Sequence, residues 1–259
     1  MSLDGARVWL TGASSGIGEA LVAALVRRGA RVAMTARRTD LLTAIAARHG
    51  DGRASVLVVP ADVTDGAAVT AAAREVEAEW GGIDLAIFNA GGSVGRQPSE
   101  TRNVQFIASE YTATMALNYF SVVYGIEAVL PGMLTRGRGH IAAVASLGGY
   151  RPSTVALPYT SSKAAVIHLI EGLRLQVEPR GIAVTVVSPG FVRTPLTARN
   201  SFKMPFLVEA DDAAQRIVAG LERGKNEIVF PAALAWTVRL LRTLPNGLYA
   251  QVIRRAAPK

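Results

Sequence analysis

The sequence has no cysteine, which excludes two kinds of site. Without thiols the chain forms no disulfide and offers no thiolate to a metal, and this composition suits a cytosolic compartment. No uninterrupted run of 18 apolar residues occurs, so no membrane-spanning helix is expected. A strand-like segment begins at Ala6, so no N-terminal targeting signal is expected either. We therefore expect a cytoplasmic protein without a metal site.

Acidic residues are missing from the end of the chain. The net charge is +8, and five positive charges lie beyond Phe230, where no acid follows. These charges belong to Arg239, Arg242, Arg254, Arg255 and Lys259. Because the basicity is concentrated in this tail, the whole-chain charge does not argue for nucleic acid, and no nucleic-acid partner is expected.

The rest of the chain alternates regularly between two kinds of segment. Half of the 259 residues are apolar, enough for the core of one large α/β domain. Strand-like and helix-like runs alternate without a repeat or a linker, which predicts one doubly wound parallel sheet of the Rossmann type with helices on both faces. Strands are predicted at 6–11, 31–36, 55–62, 84–88, 139–145, 182–187 and 227–230. Helices are predicted at 19–28, 39–49, 64–80, 110–135, 159–177 and 211–222. Residues 1–230 are taken as the domain and 231–259 as a basic amphipathic extension.

A glycine-rich turn joins the first strand to the first helix, in the sequence Thr11-Gly-Ala-Ser-Ser-Gly-Ile-Gly18. Glycines let the backbone approach a pyrophosphate closely, and a helix N-terminus offers free N–H groups to it. The spacing differs from the commoner G-x-G-x-x-G, and a tight turn without a ligand is the competing interpretation. The prediction is a dinucleotide site that uses Gly12, Ser14, Ser15, Gly16, Ile17 and Gly18.

The end of the second strand indicates which dinucleotide is preferred. An acid about 20 residues past the glycines is typical of NAD sites, where it binds the ribose hydroxyls. Here Ala36 is followed by Arg37 and Arg38, whose guanidinium groups would attract a 2′-phosphate that an acid would repel. NADP(H) is therefore expected in preference to NAD(H), unless both arginines are only solvated. After the third strand, Asp62 and Val63 are candidates for the adenine, although Asp62 also stands near a helix N-cap.

Small and amide residues mark two further places. Asn89, Ala90 and Gly91 follow the fourth strand and allow a close approach of the backbone to a ligand, although a plain turn would look the same. Asn118 lies among apolar residues of the helix predicted at 110–135, where a side-chain amide must find partners. It either takes part in a proton relay or only pins the helix.

The stretch from Ser146 to Lys163 carries the chemistry. Pro158 suits a first helical turn, so Tyr159 and Lys163 lie at i and i+4 on one helix face. An ammonium about 4 Å from a phenol, at an effective dielectric of about 20, lowers the phenol pKa by about three units, towards the range where a proton shuttle works best. Ser146 follows the fifth strand and is placed to hold a substrate oxygen. The Tyr–Lys pair alone is a weak signal, because ordinary amphipathic helices also contain it.

Together these pieces resemble the short-chain dehydrogenase/reductase family, from Ala6 to about Phe230. The order and spacing of the motifs match, including the thirteen residues from Ser146 to Tyr159. The sequence after the sixth strand also matches, with Pro189, Gly190, Val192 and Thr194 as further cofactor contacts. One departure is Ala143-Val-Ala145 before the serine, where many relatives have Asn and another Ser. No effect on the chemistry is expected from it.

The resemblance implies hydride transfer between a nicotinamide and the carbon of a carbonyl or secondary alcohol. Tyr159 would be the general acid/base, and Lys163 would bind the nicotinamide ribose and lower the tyrosine pKa. Ser146 would polarise the carbonyl and Asn118 would hold a relay water. Thr194 and the backbone near Gly190 would hold the carboxamide. The resemblance also implies a homodimer or homotetramer.

Two other classes of protein share some of these features. A dinucleotide-binding sensor without turnover would keep the glycine turn, but it would not require the Asn–Ser–Tyr–Lys set. A sugar-nucleotide epimerase also uses Tyr-x-x-x-Lys, but it usually has G-x-x-G-x-x-G and a longer C-terminal domain. His140 and His168 match no role in the family, and they are interpreted as structural residues.

The segment 191–210, after the sixth strand, predicts a substrate lid. A connection this long is often functional, and its apolar side chains suggest a hydrophobic small-molecule carbonyl or alcohol as substrate. The same side chains would otherwise pack onto the core. They are Leu196, Phe202, Met204, Phe206 and Leu207.

The extension beyond residue 230 has helical periodicity, with Leu234, Val238 and Leu241 on one stripe. A second piece, Leu248 to Arg255, repeats the mixture of apolar and basic residues. The stripe either packs on a neighbouring subunit or back over the substrate pocket, or it lies in a membrane interface where the arginines attract anionic lipid. Packing is the preferred interpretation, and peripheral membrane contact is the alternative.

Overall fold

The computed structural model describes residues 1–49, 56–95, 106–152, 156–200 and 203–256. Within these residues seven strands form a parallel sheet in the order β3-β2-β1-β4-β5-β6-β7. The strands are β1 Arg7–Thr11, β2 Arg31–Thr35, β3 Val56–Val58, β4 Leu85–Phe88, β5 Gly139–Val144, β6 Ile182–Pro189 and β7 Glu227–Phe230. The strand order reverses beside β1, which places a ligand crevice at the carboxyl ends of β1 and β4. The predicted doubly wound fold is confirmed.

Helices cover both faces of this sheet. They are α1 Gly16–Val26, α2 Thr39–His49, α3 Gly66–Trp80, α4 Ala108–Met115, α5 Ser121–Arg136, α6 Leu157–Val177, α7 Ala210–Glu222, α8 Ala232–Thr243 and α9 Asn246–Ala256. Each of the main connections runs from a strand through a helix to a parallel strand, as the alternating sequence pattern predicts.

The two faces of the sheet bury separate apolar clusters. Val8 and Leu10 of β1 pack with α1, α2 and α7, whereas Trp9 between them packs with α3, α5 and α6. Trp9 is fully buried, and its indole N–H donates to Thr35 Oγ1 at 2.9 Å. A slip of one residue would reverse which side chains face each cluster, so burial fixes the register of the sheet.

Two element boundaries differ from the sequence prediction near the glycine turn and β3. α1 begins at Gly16 rather than at residue 19, so the last two glycines of the motif belong to the helix. β3 is shorter than the predicted 55–62 and ends at Val58; Ser55 lies outside the described residues. Pro60 lacks the N–H that a longer ladder would need, although Val59 still donates to the carbonyl of Met34 in β2 and Ala61 to that of Ala36 just after it.

The helix α3 begins two residues later than predicted, at Gly66. Asp65 is its N-cap, because its carboxylate accepts from the N–H groups of Ala67 and Ala68. Asp62 instead closes a turn on Thr64, accepting from its N–H at 2.9 Å and its hydroxyl at 2.8 Å. Asp62 is therefore close to the N-cap residue in sequence, as expected, but it does not cap the helix itself.

The single helix predicted at 110–135 contains an irregularity. α4 continues into α5 through a π-helical segment, Ala116–Phe120, and the Ser121 N–H reaches back five residues to the carbonyl of Ala116. Such π segments occur frequently at functional sites, and Asn118 stands at the centre of this one. The predicted loop before α4 is described only in part, because Pro98 lies outside the described residues.

The run Ala108–Arg136 is also long and apolar enough, by length and composition alone, to cross a membrane. That finding differs from the expectation that no such helix exists. Its inner side, including Val122, Ile126 and Val129, belongs to the core cluster beneath the sheet. This burial is what a core helix of a sheet protein shows.

The basic extension forms α8 and α9, which pack against their own chain. The predicted stripe of Leu234, Val238 and Leu241 is the half-buried side of α8, and Tyr249 of α9 is buried. The opposite side of α8 exposes Trp236 to 69% of its surface. The structure therefore shows the tail packed on its own chain, and membrane contact of the outer side stays a prediction.

Candidate active site

One cavity of about 430 Å³ lies at the carboxyl ends of the central strands. All the predicted site residues line it except Asp62 and Asn118. Those brought together are Gly12, Ser14, Ser15, Gly16, Ile17, Gly18, Arg37, Arg38, Val63, Asn89, Ala90, Gly91, Ser146, Tyr159, Lys163, Pro189, Gly190, Val192 and Thr194. Motifs that are up to 180 residues apart in sequence thus converge on one cavity, as the parallel sheet requires.

The glycine turn forms a cradle that leaves no room for side chains. A Cβ on Gly12, whose φ is +68°, would lie 2.6 Å from Ala90 Cα, and a Cβ on Gly18 would lie 2.0 Å from the Gly12 carbonyl oxygen. The Asn89 side-chain amide holds the turn by donating to the carbonyls of Thr11 and Gly12. Ser15 precedes α1 without capping it, so the first N–H groups of the helix remain available for an anion. The turn fits a cofactor diphosphate.

The two arginines after β2 have different environments. Arg38 donates from Nη2 to Ser14 Oγ at 2.9 Å and to Ser15 Oγ at 3.1 Å, so it is held against the glycine turn. The side chain of Arg37 is 72% exposed, and its Nη1 lies 3.8 Å from Asp62 Oδ2. Arg38 is therefore not merely solvated, and Arg37 is free to turn towards an anion in the cavity.

Three of the predicted catalytic residues line the cavity from two elements, the end of β5 and α6. Ser146 follows β5 and Tyr159 stands in the first turn of α6, where Pro158 occupies an early position as predicted. Ser146 Oγ accepts from the Gly148 N–H at 3.1 Å, which leaves its hydroxyl hydrogen for another partner. A hydrogen bond joins Ser146 and Tyr159. Lys163 is buried, and its Nζ donates to the Val144 carbonyl at 2.8 Å.

Burial controls the proton affinities of both α6 residues. The pKa of Tyr159 is raised because desolvation opposes the phenolate, and the hydrogen bond with Ser146 lowers it by a smaller amount. Burial also lowers the pKa of Lys163 from 10.5 to about 8. The prediction that Lys163 brings the Tyr159 pKa towards neutrality is wrong for this structure. The ammonium is 5.8 Å from the centre of the phenol ring and is bound to a backbone carbonyl instead.

Comparisons with known proteins agree with this geometry. A family model described as short chain dehydrogenase matches residues 6–204. An uncharacterised oxidoreductase of Myxococcus xanthus is 38% identical over 247 residues, which cover 95% of this chain and 95% of the relative. The chain belongs to the short-chain dehydrogenase family. It is therefore an oxidoreductase of a family that works with a nicotinamide cofactor.

Solved structures of other short-chain dehydrogenases contain a nicotinamide cofactor. A short-chain dehydrogenase from Sphingobium yanoikuyae, solved in complex with NADPH, is 30% identical with a TM-score of 0.78 and covers 93% of this chain and 97% of its own. A member from Burkholderia phymatum, solved in complex with NAD, has a TM-score of 0.82 and covers 93% and 94%. At 24% identity the latter shows the shared fold alone. A nicotinamide cofactor is thus supported without a choice between NAD and NADP.

Asn118 lies behind the cavity wall of this short-chain dehydrogenase. Its Oδ1 accepts from the Gly92 N–H at 2.7 Å, and its Nδ2 donates to the Gly92 carbonyl and to Ser162 Oγ, both at 2.8 Å. These bonds hold the turn after β4 against α6, which agrees with the alternative in which Asn118 pins the helix. A part of Asn118 in a proton relay stays a prediction.

Asp62 does not line the cavity. Its Oδ1 accepts from Thr64, its Oδ2 faces Arg37, and these contacts hold its pKa below the usual value, chiefly through the Thr64 N–H. Its neighbours Ala61 and Val63 line the cavity instead. The adenine contact expected of Asp62 and Val63 stays a prediction, and in this structure the Asp62 carboxylate faces Arg37.

The segment after β6 closes on itself at a narrow neck. Val192 and Val208 form an isolated bridge, and Arg193 Nε donates to Glu209 Oε1 at 2.8 Å. Beyond the neck, Leu196 lines the cavity, and it is 39% exposed. Phe206 is 58% exposed, so the loop's apolar groups are not all packed onto the core; Phe202 lies outside the described residues.

Two residues with hydroxyl groups, Thr197 and Ser162, belong to the site but were not predicted from the sequence. Thr197 lines the cavity, accepts from the Thr194 N–H at 3.0 Å and donates to the Val192 carbonyl at 2.6 Å. Ser162 anchors Asn118 from α6. The first has a local signal, because threonines three residues apart commonly close a turn. The second has none, since its partner is 44 residues away.

Proposed function

We propose that this short-chain dehydrogenase is an NADP(H)-dependent enzyme that interconverts an apolar carbonyl compound and its secondary alcohol, with Tyr159 as general acid/base. The observation that carries the proposal is that Ser146, Tyr159 and Lys163 face the same cavity as the glycine cradle. A dinucleotide sensor would need only the cradle. A cytoplasmic location and a homodimeric or homotetrameric state stay predictions from the sequence.

Tyr159 and Ser146 have different roles at the substrate oxygen. When bound, the nicotinamide cofactor supplies or takes up a hydride at the substrate carbon. The Tyr159 hydroxyl donates its proton to the carbonyl oxygen as the alcohol forms, and it takes the proton back in the reverse direction. Burial raises the pKa of Tyr159, so the hydroxyl carries this proton before the substrate binds. Ser146 hydrogen-bonds the same oxygen and withdraws charge from it.

Burial lowers the pKa of Lys163 and so reduces the fraction of the amine that is charged. With a pKa of about 8 the amine is still largely protonated near neutral pH. Its contact with Val144 fixes the amine beside Gly91, where a Cβ would come within 2.9 Å of Nζ. In this position the ammonium would hold a sugar hydroxyl of the cofactor.

The preference for NADP(H) rests on the arginines after β2. Arg37 and Arg38 line the cavity, and Arg38 is bonded to Ser14 of the glycine turn. Guanidinium groups bind a phosphate through charge-assisted pairs of hydrogen bonds. The carboxylate of Asp62 is paired with Arg37 at 3.8 Å and does not line the cavity, so no acid there opposes a 2′-phosphate among the described residues.

The preference for an apolar substrate rests on the wall beside Gly92. A Cβ there would meet Leu117 Cδ2 at 3.6 Å and Leu196 Cδ1 at 3.9 Å, and both leucines line the cavity. Such a wall stabilises an apolar group by about 25 cal/mol for each Å² removed from water. It offers no hydrogen bonds to the hydroxyls of a sugar.

A panel of carbonyl compounds tests the proposal. Wild-type protein is mixed with NADPH and with aliphatic ketones, aromatic aldehydes or short sugars, and the loss of NADPH absorbance is followed. We expect turnover of the apolar carbonyls, with kcat/KM higher for NADPH than for NADH. Binding of NADPH without turnover of any panel member would favour the sensor interpretation instead.

A further inference from the structure

The segment that follows Ser146 is pressed against α6 on its inner side. Leu147–Gly149 forms a short 3-10 turn capped by Ser146. A Cβ on Gly149 would lie 2.8 Å from the backbone carbon of Lys163 and 2.9 Å from the backbone nitrogen of Ala164. The turn that carries the catalytic serine thus contacts the backbone of α6 directly at the catalytic lysine. Any outward movement of this turn would separate Ser146 from Tyr159.

The outer side of the same segment is held by Arg151. Its guanidinium donates to the carbonyls that end α8 and to the residue that begins α9. The partners are the carbonyls of Leu241 at 3.2 Å, Arg242 at 3.2 Å and Leu244, and Asn246 Oδ1 at 3.0 Å. A cation is favoured at the carbonyl end of a helix, where the last C=O groups lack partners in the helix. Arg151 therefore caps α8.

A second contact joins the segment to α9. The Tyr249 ring lies 4.6 Å from the Arg151 guanidinium carbon, and its hydroxyl donates to the Pro152 carbonyl at 2.6 Å. Tyr249 is buried although it lies in the basic tail. Arg151 and Tyr249 thus close a contact over about 100 residues of chain, between the catalytic turn and the extension.

A third contact fixes the segment to the sheet. The Tyr150 hydroxyl donates to Glu227 of β7 and lies 3.2 Å from Ser188 Oγ. Glu227 Oε2 accepts a hydrogen bond from Arg239 of α8 at 2.7 Å. The guanidinium of Arg242, also on α8, lies over the Tyr150 ring. The tail therefore reaches the segment at Tyr150 as well as at Arg151.

We propose that Arg151 is a positioning residue for catalysis: by capping α8 and stacking on Tyr249, it uses the C-terminal extension to hold Ser146 against Tyr159. This inference rests on the proposed function, since it assigns Ser146 to the substrate oxygen. It also gives the basic extension a role at the active site of its own chain. The guanidinium contacts four oxygens at once, so a lysine, which has a single ammonium, cannot replace it fully.

The expected effect is confined to the substrate half of the site. The glycine cradle and Arg37 follow β1 and β2, away from the segment, so NADPH affinity should change less than about twofold. Small displacements of catalytic groups lower rates steeply, so Arg151→Ala should lower kcat by about ten- to a hundredfold. Arg151→Lys should fall between Arg151→Ala and wild type. Tyr249→Phe removes only the hydroxyl bond to Pro152 and should give a smaller loss of kcat.

The experiment compares these variants with a matched control. Arg254→Ala removes an arginine of the same tail, one whose Nε donates to Ala250 within its own helix. For each protein kcat, substrate KM and the NADPH dissociation constant are measured. Hydrogen exchange is followed in peptides covering 147–152, 232–256 and β1–β2. We expect faster exchange in both outer segments of Arg151→Ala, unchanged exchange in β1–β2, and wild-type behaviour of Arg254→Ala.

Four results would overturn the proposal, and each is distinct. Wild-type kcat in Arg151→Ala, or unchanged exchange in 147–152, would show that the contact does not position the serine. An equal loss of NADPH affinity would indicate general loosening rather than positioning. Absence of turnover in wild-type protein would overturn the proposed function itself, and the positioning role with it.

Discussion

Coenzyme choice should depend on Arg37 and Arg38 in different ways. Arg37 is largely exposed and paired only loosely with Asp62, so its removal leaves the glycine turn unchanged. A charge-assisted hydrogen bond is worth about 1.5–3 kcal/mol, and the exposure of Arg37 places its contribution near the lower limit. Since about 1.4 kcal/mol corresponds to a factor of ten, Arg37→Ala should raise the KM for NADPH about tenfold. The KM for NADH should change less than about twofold.

Arg38→Ala should affect both coenzymes. Its guanidinium bonds the hydroxyls of Ser14 and Ser15, which belong to the turn that would hold the diphosphate common to NADPH and NADH. The loss should still be larger for NADPH, because that coenzyme also carries the 2′-phosphate. The two variants together distinguish binding of the NADPH 2′-phosphate from stabilisation of the glycine turn.

Initial rates with each coenzyme, at saturating carbonyl substrate, measure these effects. Arg223→Ala is the control for charge. Arg223 is exposed at the C-terminal end of α7, just before β7 begins, whereas the cavity lies where the strands end. It should leave both KM values unchanged. Equal losses with NADPH and NADH in Arg37→Ala would refute the assignment of Arg37 to the 2′-phosphate.

Three further predictions concern pH, the loop after β6 and the tail. Burial lowers the pKa of His140 from 6.5 to about 4, so the unfolded chain takes up the proton first as the pH falls. The unfolding free energy in urea should therefore drop by about 2 kcal/mol from pH 7 to pH 5 through this group; His140→Gln should remove that slope, and the exposed His168→Gln should keep it. Leu196→Asn should lower kcat/KM for apolar carbonyls about fivefold without changing NADPH affinity, and a wild-type preference for short polar sugars would contradict the apolar wall. Full-length protein should not sediment with anionic vesicles at low salt, because the apolar stripe of α8 packs on its own chain; sedimentation that Trp236→Glu abolishes would instead show a membrane contact.

The cavity could be predicted from the sequence because each of its motifs requires particular residue types at fixed places. Only glycine fits where the turn after β1 meets Ala90, and only parallel strands bring that turn to the same edge as Ser146. The amphipathic stripe of α8 was also readable, because helical periodicity is a local property. Boundaries were less certain, as the start of α3 shows: Asp62 and Asp65 both suit a cap, and only the backbone geometry distinguishes them.

What the sequence could not provide depends on contacts between distant segments. A single charge at one distance predicts a lowered Tyr159 pKa, whereas desolvation, which raises that pKa, is the larger effect in the structure. The π segment at Asn118 and the bond from Arg151 to the end of α8 have no local signature, because each is decided by the partner's position. Such effects depend on how distant parts of the chain lie relative to one another in the folded protein.

The central claim is that Tyr159 is the general acid/base, and Tyr159→Phe tests it most directly. The substitution removes one hydroxyl, leaves the ring beside Lys163 and does not touch the glycine cradle, so NADPH should bind with an affinity within about twofold of wild type. Tyr111→Phe, which loses a phenol hydroxyl on α4, is the matched control and should keep full turnover. A positioned acid/base is worth at least about a hundredfold, so turnover of the carbonyl substrate should fall by at least that factor. Retention of more than about a tenth of the wild-type rate in Tyr159→Phe would contradict the account.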